Sequence, residues 1–187
     1  VLTVGSSGGA LTVDAARRLP IKTIASGPAG GVSQAVFVAR GIGVPDLITY
    51  DMGGTSTDVC LIGGYTPSVT TEALLAGFPL KTPQIDIKSV GAGGGSIAFV
   101  DSGGMLHVGP KSAGAVPGPV CYGRGGMEPT VTDAALVLGY VDPDYFLGGR
   151  MKLDLPAARA VMSELAGRLG QGVEATAAGI LSIASEH

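Results

Sequence analysis

Tryptophan is absent from the sequence, and aromatic residues make up 5% of its 187 positions, so any core must be built from aliphatic side chains. Charge is scarce as well: 14% of residues carry one, and the net charge is −3. A nucleic-acid surface needs a basic stripe, and this balance supplies no electrostatic reason for one. Disorder needs low hydrophobicity with high charge, whereas 45% of these residues are hydrophobic. Charges, prolines and glycines break every apolar stretch, so no run approaches the roughly 18–20 residues of a membrane span. The first residues, Val1-Leu2-Thr3-Val4, lack the basic region of a signal peptide. They also lack an initiating methionine, which leads us to expect a segment of something longer.

Cysteine is nearly missing. Cys60 and Cys121 stand too far apart for a CxxC metal or redox motif, and two thiols suit a reducing compartment better than a disulfide framework. The expectation is a cytoplasmic protein. Two phosphate signatures are missing too: there is no G-x-x-x-x-G-K-[ST] and no G-x-G-x-x-G, which excludes a P-loop and a Rossmann dinucleotide site.

Glycine is what the chain has instead. The 32 glycines are roughly twice the usual share of about 7%. They cluster at 5–9, 27–31, 53–54, 91–95 and 123–126, without the period of collagen. Such clusters between apolar segments mean tight turns, or backbone held close to a ligand.

The pattern predicts a strand over 21–25, then a breaker at Ser26-Gly27-Pro28, with Ser26 as a helix cap and Pro28 in the first turn. A helix follows over 32–40, closed by Gly41. Residues 46–50 and 57–62 form two strands of a hairpin around Gly53-Gly54. Further strands are expected at 68–71, 84–90, 96–101 and 106–108, an ordered loop at 109–126, and helices from Thr132-Asp133, over 155–169 and over 172–185. The fold class is α/β, with a mixed central sheet and flanking helices.

The chemistry concentrates in Asp51-Met52-Gly53-Gly54-Thr55-Ser56-Thr57-Asp58. A strand delivers one carboxylate, and the returning strand opens with another. Phosphate binding needs backbone N–H groups with no side chain in the way, which Gly53 and Gly54 supply. Thr55, Ser56 and Thr57 add hydroxyl donors. Carboxylates repel phosphate directly, but Asp51 and Asp58 suit a hydrated Mg²⁺, which takes one or two carboxylates plus phosphate oxygens and water. Asp51 could equally orient an attacking water. The plain alternative is a hairpin with an Asx-type turn.

Other candidates each carry a structural alternative. The glycine loop at 91–96, with Gly93 and Gly94 at its centre, either touches phosphate or makes a tight connection. Cys121 is a substrate-pocket residue or simply structural, since no base lies near it in sequence to make it a nucleophile. Arg124 either clamps an anion or is a surface cation. Asp133 is a helix cap or a ligand to substrate. His107, between Leu106 and Val108, is expected to be structural. The G-x-S-x-G match at Gly5–Gly9 lacks the ordered Asp and His partners of a nucleophile elbow.

Four stretches in order, SGPAGGV at 26–32, DMGGTSTDV at 51–59, SVGAGGGSIA at 89–98 and the run from 109 to 140, resemble the hydantoinase A/5-oxoprolinase (N-methylhydantoinase) family. That family lies within the actin, sugar kinase and heat-shock chaperone ATPase superfamily. The resemblance implies an actin-like, ribonuclease H-like ATPase lobe over 1–187, as a single domain or fragment, with a signature core at 26–140 and a helical C-terminal part at 141–187. It implies ATP-dependent ring opening of a cyclic amide such as a hydantoin or 5-oxoproline, the amide oxygen being phosphorylated to make the ring carbon hydrolysable. ATP and Mg²⁺ are the implied cofactors, with Asp51 and Asp58 as the catalytic, metal-bearing carboxylates and Gly53, Gly54 and Thr55 at the phosphates. The implied partners are a second subunit and another copy of the chain. The superfamily's first phosphate hairpin and its adenosine loop are not found here, so the chain is expected to be a fragment inactive by itself. A nucleotide-driven conformational module, or a partner-binding domain without catalysis, remains the alternative.

Overall fold

Gly43 sits in the left-handed region at φ +72°, and its N–H bonds the Ala39 carbonyl, which closes the longest helix of the chain's first half two residues beyond the expected stop. The computed structural model describes residues 1–75 and 77–186. It divides into two compact units, the first of residues 1–51 and 58–89 and the second of 52–57 and 90–187.

The first unit opens with a hairpin of β1 (Leu2–Val4) and β2 (Ala10–Thr12), followed by the short helix α1 (Val13–Arg18). The strand expected over 21–25 is instead a 3-10 turn over Pro20–Thr23, because Pro20 presets a helical φ at its first position. Helix α2 spans Ser26–Ile42, so Ser26 lies inside it rather than capping it. Strands β3 (Leu47–Met52) and β4 (Thr57–Gly63) form the expected hairpin. They join β5 (Thr66–Pro67) and β10 (Lys88–Val90) in a four-stranded sheet ordered β10-β4-β3, with β5 paired to β4. The remaining strands close in pairs: β6 (Val69–Thr70) with β9 (Gln84–Ile85), and β7 (Ala73–Leu75) with β8 (Phe78–Leu80).

The single run expected over 84–90 therefore breaks at 86–87. Small separate sheets stand where one central sheet was expected. Strands of two or three residues, cut by proline, glycine and acidic positions, are too short to extend a common sheet. The core of this unit is Ala29 and Val32 of α2 against Cys60 and Ile62 of β4 and Ile85. The Thr49 hydroxyl accepts from the Cys60 N–H at 3.0 Å and ties β3 to β4.

In the second unit β11 (Ser96–Val100) pairs antiparallel with β12 (Leu106–Ser112), with an irregularity between Ser96 and Ala98. Three helices, α3 (Val131–Val137), α4 (Leu155–Leu169) and α5 (Val173–Ser185), pack on one another and on this hairpin. Leu136, Met162, Leu165 and Ile180 interlock with Ala98, Val100 and Val108. Among the described residues no helix is long and apolar enough to cross a membrane.

Candidate functional site

The turn joining β3 to β4 lies in the second unit and is braced there. The Gly53 N–H bonds the Ser56 carbonyl at 2.8 Å and closes the turn. The Gly53 carbonyl accepts from the Gly94 N–H at 3.0 Å, and the Gly54 carbonyl from the Gly95 N–H at 2.6 Å. In a trans peptide the C=O and the following N–H point opposite ways. Anchoring these two carbonyls on the glycine loop therefore turns the N–H groups of Gly54 and Thr55 away from it. Gly53, Gly54 and Thr55 are exposed, and among the described residues nothing accepts the N–H of Gly54, Thr55 or Ser56. Successive unspent N–H groups of this kind make an anion-binding concavity.

The hydroxyls divide. Thr55 is exposed and Ser56 half-buried, so both remain open. Thr57 is buried and its hydroxyl donates to the Ala92 carbonyl at 2.6 Å, so its single proton goes to the backbone instead of an incoming phosphate.

Gly93 and Gly94 do not face an open cleft. A methyl at Gly93 would stand 2.8 Å from Gly53 O, Gly54 C and Thr55 N. One at Gly95 would stand 2.7 Å from Gly54 O. These distances are inside any tolerated carbon contact, so glycine is required for the loop to lie flat on the turn. The ligand contact expected of Gly93 and Gly94 is thus replaced by contact with the turn itself.

In the first unit Asp51 is exposed near the end of β3, and Asp58 is half-buried at the start of β4. The Ser89 hydroxyl donates to the Asp58 carboxylate. Both carboxylates line a cavity of about 350 Å³ with Pro28, Gly31 and Val32 of α2. The α2 backbone runs so near that a methyl at Gly31 would stand 3.9 Å from the Asp51 carboxylate. Ser89 gave no signal in the sequence, because its partner lies 31 residues away.

The other candidates fall in the second unit. Asp133 is wholly buried and forms a capping box with Thr130, the cap of α3. Its carboxylate also accepts from Val120 N at 3.2 Å and Cys121 N at 2.8 Å, so a substrate would find no free face on it. Cys121 is buried completely. Burial, then the neighbouring Asp133 carboxylate, pushes its thiol well above the usual range, which is contrary to what a nucleophile or an accessible pocket residue needs. Arg124 is exposed, 5.9 Å from the Tyr122 ring centre, and no carboxylate among the described residues pairs with it. His107 pairs with Asp101 at 2.8 Å and stacks on Phe99 with ring centres 5.4 Å apart. Among the described residues no three His, Cys, Asp or Glu side chains converge as a metal cluster.

Fold and turn together define a mixed α/β protein with an exposed glycine turn rich in open backbone donors. The chain belongs to the hydantoinase/oxoprolinase family, whose model matches residues 1–187. It is 45% identical to the caprolactamase subunit alpha of Pseudomonas jessenii, over 95% of this chain and 26% of that protein. It is 44% identical to 5-oxoprolinase 1 of Arabidopsis thaliana, over 88% of this chain and 14% of that one. A nucleotide-free structure of an acetone carboxylase, described as ATP-dependent, superposes with a TM-score of 0.87 at 34% identity, covering 99% of this chain and 26% of that one. The ATP-dependent caprolactamase structure from Pseudomonas jessenii gives 0.81 at 41%, covering 98% and 27%. The chain thus spans about a quarter, or less, of the relatives it matches.

Proposed function

We propose that this chain is the nucleotide-phosphate part of a larger subunit that opens a cyclic amide at the expense of ATP. The observation that carries the reading is the orientation of the Gly53 and Gly54 peptides, which leaves consecutive N–H groups open at an exposed tip. A lactam carbon is a poor electrophile. In the proposed reaction the amide oxygen bonds the γ-phosphorus as the bond to ADP breaks. Water then adds at the activated carbon, the ring C–N bond breaks as the nitrogen takes up a proton, and a second water cleaves the resulting acyl phosphate to a carboxylate and free phosphate. Gly54, Thr55 and Ser56 would hold phosphate oxygens as their charge grows. Asp51 and Asp58 are hard oxygen donors of the kind Mg²⁺ accepts, and Mg²⁺ bound there would neutralise phosphate charge. The actin-like lobe, with a companion lobe closing over the nucleotide, belongs to the same reading. So do a second subunit and self-association, and three relatives carry subunit names.

Lactam opening is preferred to carboxylation because the relatives at 45% and 44% identity are named for lactams. The test is ADP release by the complete subunit assembly offered caprolactam, 5-oxoproline and hydantoin in turn. ADP release that depends on one lactam, matched by ring-opened product and abolished in Asp51→Ala, supports the reading. ADP release that depends on a ketone and bicarbonate and ignores every lactam would move the chain to the carboxylases.

A further inference from the structure

Thr132 lies at the second position of α3. In the fold both of its donors go to one atom. Its N–H and its hydroxyl each reach the Gly94 carbonyl, at 2.8 Å in both cases. Gly94 is the residue whose own N–H holds the Gly53 carbonyl, and Gly95 beside it holds Gly54. A methyl at Gly94 would stand 2.7 Å from the Thr132 hydroxyl, so the side chain fills the space behind the loop as well as bonding it. Ser112 completes the brace. Its hydroxyl reaches the Gly54 carbonyl at 3.3 Å, and a methyl at Gly95 would meet it at 2.9 Å. Thr132 is itself fixed by α3, whose cap is locked by the Thr130–Asp133 box.

We propose that Thr132 is a positioning residue for nucleotide phosphate, acting through the glycine loop to set the direction of the Gly54 and Thr55 N–H groups. The role rests on the nucleotide reading above. Thr132 acts through the bonds behind the turn. Its hydroxyl fixes Gly94, Gly94 and Gly95 fix two carbonyls, and those carbonyls fix the N–H groups on the other side of the same peptides. Binding by preorganised dipoles is lost when the dipoles are free to turn, because the ligand must then order them.

The experiment is calorimetric titration of MgATP into the complete subunit and its Thr132→Val, Thr132→Ser, Ser112→Ala and Asp51→Ala variants, with thermal unfolding of each without nucleotide. Thr132→Val keeps the volume and removes the hydroxyl. It is expected to raise the Kd for MgATP about tenfold, the scale of one lost hydrogen bond to a group that must stay aligned. Thr132→Ser restores the wild-type Kd, and Ser112→Ala raises it about threefold, its bond being longer. A merely structural role would lower the fraction of molecules that bind, seen in the stoichiometry, and leave the Kd of the rest unchanged. A wild-type Kd in Thr132→Val, with binding lost in Asp51→Ala, overturns the positioning role and leaves the nucleotide reading intact. Unchanged binding in both variants places the nucleotide away from this turn and its carboxylates, and removes the reading of the turn as the phosphate site and this role with it. If Thr132→Val does not fold, Ser112→Ala decides, and a wild-type Kd there overturns the proposal.

Discussion

The Asp133 carboxylate receives four hydrogen bonds, from the N–H groups of Val120, Cys121 and Thr130 and from the Thr130 hydroxyl, while fully shielded from water. Asp133→Asn would turn one accepting oxygen into a donor that faces other donors. The expected cost is about 2–4 kcal/mol, read from denaturant unfolding, because buried donors are left unsatisfied. The same surroundings govern Cys121. An unfolded thiol ionises near pH 8.5, and burial and Asp133 push this one higher. The raised value means the thiol's contribution to stability is complete below about pH 8.5 and is lost as pH rises through the folded value. Native protein at pH 8 should therefore leave Cys121 unmodified by iodoacetamide, with modification appearing on denaturation. Rapid modification in the native state would show that the pocket opens. Cap and substrate ligand are indistinguishable for a Thr-x-x-Asp in sequence. Burial decides between them, and burial depends on residues 120 and 121, which no local pattern links to 133.

At the scale of elements, the hairpin 47–63 was legible because apolar strands flank a glycine pair, and α4 and α5 because their periodicity runs long. The glycine loop 91–96 was visible as a loop but not in its direction, since the carbonyls it holds lie about forty residues earlier. That contact makes unequal demands on its glycines. A methyl at Gly91 meets nothing within 4 Å, whereas one at Gly93 meets three backbone atoms at 2.8 Å. Gly91→Ala should be within about 0.5 kcal/mol of wild type, and Gly93→Ala should cost about 1–3 kcal/mol, because backbone atoms cannot yield as a side-chain end can. Equal unfolding midpoints for the two variants would contradict the close approach. The short pairs β6–β9 and β7–β8 were not foreseen in their pairing, because strands of two or three residues carry too little alternation to show which face is buried.

At the scale of the molecule, the segment 51–58 contributes its carboxylates to one compact unit and its turn to the other. The division into units falls at residues the sequence runs straight through, so the four stretches between 26 and 140 were legible as a family resemblance while the division was not. The turn at Gly53-Gly54-Thr55 is proposed to receive nucleotide phosphate. The most direct test is calorimetric titration of MgATP and MgADP into the complete subunit beside Gly54→Val. A methyl at Gly54 meets nothing within 4 Å, so the variant should fold as wild type does while placing bulk at the exposed tip. Saturable binding of both nucleotides to wild type is expected, with a loss of at least about a hundredfold for MgATP in the variant, the scale on which steric exclusion from a backbone site acts. MgATP binding of equal strength in wild type and Gly54→Val would contradict it.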